Sequence, residues 1–364
     1  MQGLDANINL IGINFGMNTV FARYRGFLLG ACCLLPAFGN AADAQVFLPT
    51  QQASHAFPIQ SSGIQSTHNR LVQNSFAQNA TQPSIASNKQ PKTPTALRLP
   101  LPRSQYDISH QYYVGLLRLA LQKAAKGRDL PRLLTSSKVE QADGIKALTE
   151  QKLIDVFWVG TDRQKEQQLR AIKIPLERGL MGFRKFTIVR TTKNQLDQIH
   201  NLADLKKLRA CVGSDWPDRA ILEHAGLPIL AVAQYEELFA QLAAGACDYF
   251  PRGLHEGKAE LSLRAGHYPQ LVRYQDIMLH YPFAVYFFTS PDNEALAQWI
   301  EEGLELLIQS GELLSYMQQH PLTRHVFPLS QYQASSWITL ENPILDQPKT
   351  MALPRYWFLP ADFQ

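Results

Sequence analysis

The familiar catalytic motifs are missing from this chain, so its chemistry has to come from arginines, carboxylates and aromatic rings. There is no Gly-x-Ser-x-Gly elbow, no His-Glu-x-x-His, no phosphate-cradling loop and no dinucleotide glycine triplet. The carboxylate pairs Glu236-Glu237 and Glu301-Glu302 are adjacent on expected helices, so their side chains diverge. His110, His255 and His280 have no partners at metal or triad spacing. Arg252 is different, because it follows Pro251 at the carboxyl end of an expected strand, where open α/β sheets place their ligands. Its guanidinium reads either as a cleft group or as the partner of Glu256 or Asp248. Cys211 and Cys247 each sit in a short apolar run without zinc-ligand spacing, which leaves two buried thiols or one bridge.

The elements that would position these groups alternate. A strand at 96–100 is followed by a helix over 112–125 with apolar residues at 3.6 spacing. A strand at 133–134, a helix at 141–150 and a buried strand at 154–159 come next. The rhythm repeats with strands at 208–212, 229–232 and 247–250 and helices at 217–224 and 235–243. Two β-rich runs, 186–189 and 283–288, flank this second unit, and helices at 293–309 and 312–319 close the pattern. Alternating strands and helices predict βαβ units and a mainly parallel sheet. A chain that leaves one α/β lobe, builds a second and returns must cross twice, which predicts a hinge with a cleft between lobes.

The residues Gly182-Phe183-Arg184-Lys185-Phe186, Leu202-Ala203-Asp204-Leu205, Val212-Gly213-Ser214 and Leu242 through Phe250 fall in an order that resembles the bacterial extracellular solute-binding proteins of family 3. These are type II periplasmic binding proteins that serve ABC transporters. Tyr281-Pro282-Phe283-Ala284 through Gly311-Glu312-Leu313 is similar to that family's return to the first lobe, so the resemblance spans about residues 96–325. It points to an uncharacterised branch. The resemblance implies that Thr161 and Arg163, or Arg170 in place of Arg163, hold a ligand carboxylate, since a guanidinium fork fits one. Ser214, Asp215 and Trp216 stand where it places a helix start that attracts anions. Tyr106 matches an aromatic lid in the first loop. Arg184, beside a crossing strand, faces the cleft or clamps the hinge; Trp216 stacks on a ligand or caps the second lobe. The family's ammonium-binding Asp falls on Gly253 here, next to Arg252, with Glu256 one helical turn later as a substitute. That departure argues against an ordinary α-amino acid as ligand.

The amino terminus reads as an address. Arg23 and Arg25 precede a short apolar run that ends at Ala42-Asp43-Ala44, the layout of a secretory signal peptide over residues 1–44, with Met17 as an alternative start. Leu29-Gly30-Ala31-Cys32 also looks like a lipid-attachment box, but the apolar run continues beyond it, so ordinary cleavage is expected. Residues 45–95, rich in Gln, Ser, Asn, Thr and Pro, read as a disordered leader. The first lobe is expected over 96–185 and 283–325 and the second over 186–282. The aromatic tail at 326–364 is expected to pack on the first lobe. Residues 1–100 carry six basic and two acidic groups, and the remaining residues hold 29 of each. That balance leaves no electrostatic case for nucleic acid or an anionic membrane. The sequence thus predicts a monomeric, non-enzymatic periplasmic protein without metal or cofactor. It would capture a small polar, anionic or amino-acid-like solute and present it to an ABC permease or membrane receptor. A sensor or adaptor without a transport role, or an exported enzyme on the same scaffold, are the alternatives.

Overall fold

The computed structural model describes residues 94–139, 141–346 and 349–364. The expected signal peptide and nearly all of the expected leader lie outside the described residues. The first lobe begins with β1 (Ala96–Pro100), α1 (Ser109–Lys123), β2 (Arg132–Ser137), α2 (Gln141–Thr149), β3 (Phe157–Gly160), α3 (Arg163–Gln168) and β4 (Arg170–Ile172). Strand β5 (Phe183–Val189) then crosses to the second lobe. That lobe contains α4 (Lys193–Leu196), α5 (Leu202–Leu205), β6 (Ala210–Gly213), α6 (Pro217–His224), β7 (Ile229–Val232), α7 (Tyr235–Ala243), β8 (Phe250–Gly253) and α8 (Gly257–Arg264). The chain returns along β9 (Leu271–His280) to β10 (Val285–Thr289), α9 (Glu294–Gln309), α10 (Glu312–Gln319) and β11 (Ser336–Thr339). This is the two-lobed α/β fold with two crossings and a cleft between the lobes.

The expectation of a mainly parallel sheet is corrected. β-pairing is divided among four small sheets, in the orders β1-β2, β3-β10-β4, β6-β7 and β11-β9-β5-β8. Among the named strands of the described residues, β1–β2, β6–β7 and β9–β11 pair in parallel. The crossings explain the rest: β5 and β9 run in opposite directions between the lobes and pair antiparallel, and the returning β10 is antiparallel to both β3 and β4. Strand β8 occupies the edge of its sheet, a position that tolerates Pro251.

Packing follows the apolar spacing. Tyr112, Tyr113, Leu116, Leu117, Ala120 and Leu121 form the buried stripe of α1, which meets the stripe Leu296, Ile300, Leu304 and Leu307 of α9. The two helices approach so closely at Gly303 that a Cβ there would lie 2.0 Å from the Ala120 carbonyl oxygen. In the second lobe a smaller core around Leu238, Phe239, Leu242 and Phe250 encloses Cys211 and Cys247, which form a disulfide with Cα atoms 5.6 Å apart. The tail reaches α9 through Tyr356, whose hydroxyl donates to Glu305 at 2.8 Å. It also extends the crossing-strand sheet by adding β11 to β9.

Candidate functional site

Between the lobes lies a cleft of about 140 Å³ with walls from both. On the first-lobe side Tyr113 stacks on Trp158, with centroids 5.5 Å apart and planes 27° from parallel. The Tyr113 hydroxyl donates to the Glu177 carboxylate. Glu177 is 1% exposed, and its second oxygen is enclosed without a partner among the described residues. Burial pushes this carboxyl up to about 8, so it holds its proton at neutral pH.

The second-lobe wall is an ion cluster. β8 delivers Arg252 to the cleft, where Nε and Nη2 donate to Glu260 at 2.9 and 2.7 Å. Nη2 also lies 2.7 Å from Glu256. Glu256 in turn accepts the Gly253 backbone N–H at 3.1 Å, and Tyr235 donates to Glu260 at 2.5 Å. The guanidinium stands over the rings of Phe250 and Trp216, at 4.8 and 5.1 Å from their centroids. Burial pulls the two carboxylates the same way, but the outcome differs. Glu256 is raised by burial, whereas Arg252 overcomes burial at Glu260 and lowers it. One guanidinium thus serves two buried carboxylates.

On β5, Arg184 faces the cleft within 2.5 Å of Asp218, and Tyr281 donates to the same carboxylate oxygen at 2.6 Å. Asp218 lies in the first turn of α6, with Pro217 at the first helical position. Asp218 thus adds a carboxylate to the first turn of the helix expected to attract an anion. The lobes also touch across the cleft mouth. Arg103 is held by Asp107 at 2.9 Å and lies 4.2 Å over the Tyr235 ring. Ser104 donates to Glu236 at 2.6 Å, and Gln141 donates to the Asp215 carbonyl at 2.9 Å. Burial would raise Asp107, but Arg103 wins and holds it well below the usual carboxylate range.

The structure brings Trp216, Arg252, Arg184 and Glu256 together in the cleft and places the other expected residues elsewhere. Arg163 is half-exposed in an ion pair with Asp346. Arg170 lies on β4 and pairs with Glu294 and Glu301 of α9, whose carboxylates satisfy its fork on the outside of the lobe. Thr161 is buried, but its hydroxyl donates to Glu166 rather than into the cleft. Ser214 and Asp215 line a separate recess with Arg163. Tyr106 sits at the lobe junction against His267 and Arg264 instead of covering the cleft. Sequence reasoning missed Arg103, Asp107, Tyr113, Trp158, Glu177, Tyr235 and Glu260. Of these, Glu260 was signalled by the four-residue steps from Arg252 through Glu256.

No protein-family model matches the chain, and neither does any curated protein. Solved structures do. An ancestral arginine-binding protein bound to arginine is 16% identical, covering 62% of this chain and 97% of that one, with a TM-score of 0.46. A periplasmic binding protein of high arginine specificity from Salmonella typhimurium is 15% identical, covering 62% and 98%, at 0.44. A histidine kinase sensor domain with similarity to periplasmic binding proteins is 16% identical, covering 61% and 94%, at 0.45.

Proposed function

We propose that this chain is a periplasmic solute-binding protein of the type II class, which closes its two lobes over a small polar solute and presents it to a membrane transporter. One observation supports this most: an aromatic cleft set with paired charges, whose walls come from both lobes, at a junction crossed by β5 and β9. Binding would act by stabilising the closed arrangement over an open one. The charges at the cleft are already matched, Arg103 by Asp107, Arg184 by Asp218 and Arg252 by Glu256 and Glu260. This balance favours a neutral or zwitterionic solute over a strongly anionic one, because an added net charge would find no free counter-charge.

The same self-pairing supports a second reading, a sensor or adaptor that signals through its lobes without carrying a solute. A thermal-shift screen against amino acids, di- and tricarboxylates, polyamines, sugars and small peptides separates the two. A solute at 100 times its dissociation constant adds roughly 2.7 kcal/mol of stability. A hit that weakens in Arg252→Gln supports capture, and a flat screen favours the adaptor.

A further inference from the structure

Strand β5 points successive side chains to opposite faces. Arg184 faces the cleft, while Lys185, 1% exposed, reaches the other side, donating to the Gln275 carbonyl and, at 2.6 Å, to Ser335. There, on the back of the crossing strands, lies a second cavity of about 540 Å³. It is lined by Lys258 from α8, Arg273 from β9, and His325, Tyr332 and Ser335 from the segment before β11, with Asp276 as its one carboxylate.

The donors here are not used up. Arg273 donates from Nη2 to the Leu254 carbonyl at 2.9 Å and also engages the Tyr332 hydroxyl, while its Nε is enclosed with no hydrogen-bond partner among the described residues. The Nε2 of His325 is also enclosed without a partner among the described residues, as donor or acceptor according to the tautomer of the neutral ring. Among the described residues neither Lys258 nor Arg273 has a carboxylate within ion-pair reach, in contrast to the cleft arginines. An unpaired buried donor costs more than an ordinary hydrogen bond contributes, so such a group is best completed by an acceptor from outside. Burial and the neighbouring Arg273 push Lys185 down to about 7, and burial with Arg273 and Lys258 pushes His325 down to about 4.

We propose that this cavity is a binding site for a small oxyanion, a phosphate or carboxylate group held by Arg273 and Lys258, with Lys185 behind it. The unpartnered Nε–H of Arg273 offers a charged donor to one oxygen, and Lys258, exposed at the rim, supplies a point charge. The volume leaves room for a molecule that carries the oxyanion as one end.

The test is calorimetric titration of the full chain with inorganic phosphate and, separately, with malonate, at constant ionic strength. Wild type is compared with Arg273→Gln, Lys258→Gln and the cleft variant Arg103→Gln. The expected result is binding of at least one anion, weakened about tenfold or more by Arg273→Gln, by a few-fold in Lys258→Gln, and unchanged in Arg103→Gln. Lys258 is exposed, so its variant reports on the site even if Arg273→Gln fails to fold. No binding of either anion, equal affinity in wild type and Lys258→Gln, or loss of binding in Arg103→Gln alone would each overturn the proposal.

Discussion

The guanidinium of Arg103 lies 4.2 Å above the ring of Tyr235, fastening the first loop of one lobe to the start of α7 in the other. Beside it Ser104 donates to Glu236, which also holds Arg264 at 2.5 Å. Closure is thus stabilised by a few contacts at the cleft mouth, and solute affinity should depend on them. Ser104→Ala removes a charge-assisted hydrogen bond, of roughly 1.5–3 kcal/mol, part of which water recovers. Solute affinity is expected to fall about fivefold, with the melting temperature of the solute-free chain nearly unchanged; equal affinity would show that the mouth contacts do not bias closure.

Acid and base should act on stability through different residues. Glu177 titrates near 8 in the folded chain against an ordinary value of 4.5. Its contribution is full below about 4.5 and is lost as pH rises through 8, by at most about 1.4 kcal/mol for each unit crossed. His255 is fully buried with both ring nitrogens unpartnered among the described residues, and burial pushes it down to about 3 from 6.5. Its contribution is full above 6.5 and is lost as pH falls towards 3. In urea titrations, Glu177→Gln should flatten the profile between 4.5 and 8, and His255→Leu should flatten it between 3 and 6.5. Unchanged slopes in these variants would assign the pH dependence to other groups.

The Cys211–Cys247 bridge closes a separation of 36 residues. In the chain-entropy account a loop of that size stabilises by about 4 kcal/mol. Cys211→Ser with Cys247→Ser, or reduction, should therefore lower the urea midpoint markedly, with the loss concentrated in the second lobe. A midpoint within error of the oxidised chain would mean that the small core around Phe239 and Phe250 suffices.

Two glycines separate packing from binding. Gly303→Ala forces a methyl group against the Ala120 carbonyl and should destabilise the first lobe by about 1–3 kcal/mol. At Gly213 a Cβ would lie 2.5 Å from the Trp216 ring, so Gly213→Ala should displace that ring. The expected signature is altered tryptophan fluorescence and lost solute affinity at a smaller cost in stability. If Gly213→Ala binds solute normally, Trp216 is a cap of the second lobe and not part of the grip.

Much of the scaffold is legible in the sequence because its helices carry clean apolar stripes. Helix α10 is read to the residue, since Gly311 marks its start and Leu313 and Met317 give its buried face. Strand β9 escapes because Arg273, Gln275 and Asp276 interrupt its apolar pattern. Those residues face the back cavity, so their polarity is a property of the site and not of a loop. The same logic divides the site residues. Arg252 and Glu256 are read together because they lie close in sequence, and the short turn between β8 and α8 brings them into contact. Arg170 is misplaced because its partners, Glu294 and Glu301, come from a helix 124 and 131 residues later, which no local pattern announces. Tyr113 reads as core, and its ring is; only the fold shows its hydroxyl reaching Glu177.

The most direct test of closure over a solute is hydrogen exchange of the full chain, alone and with each member of the solute panel. The expected result is that one solute slows exchange both in the 101–108 loop of the first lobe and at the start of α7 in the second. If no solute slows either segment, or a bound solute protects one wall only, capture by closure of the two lobes is contradicted.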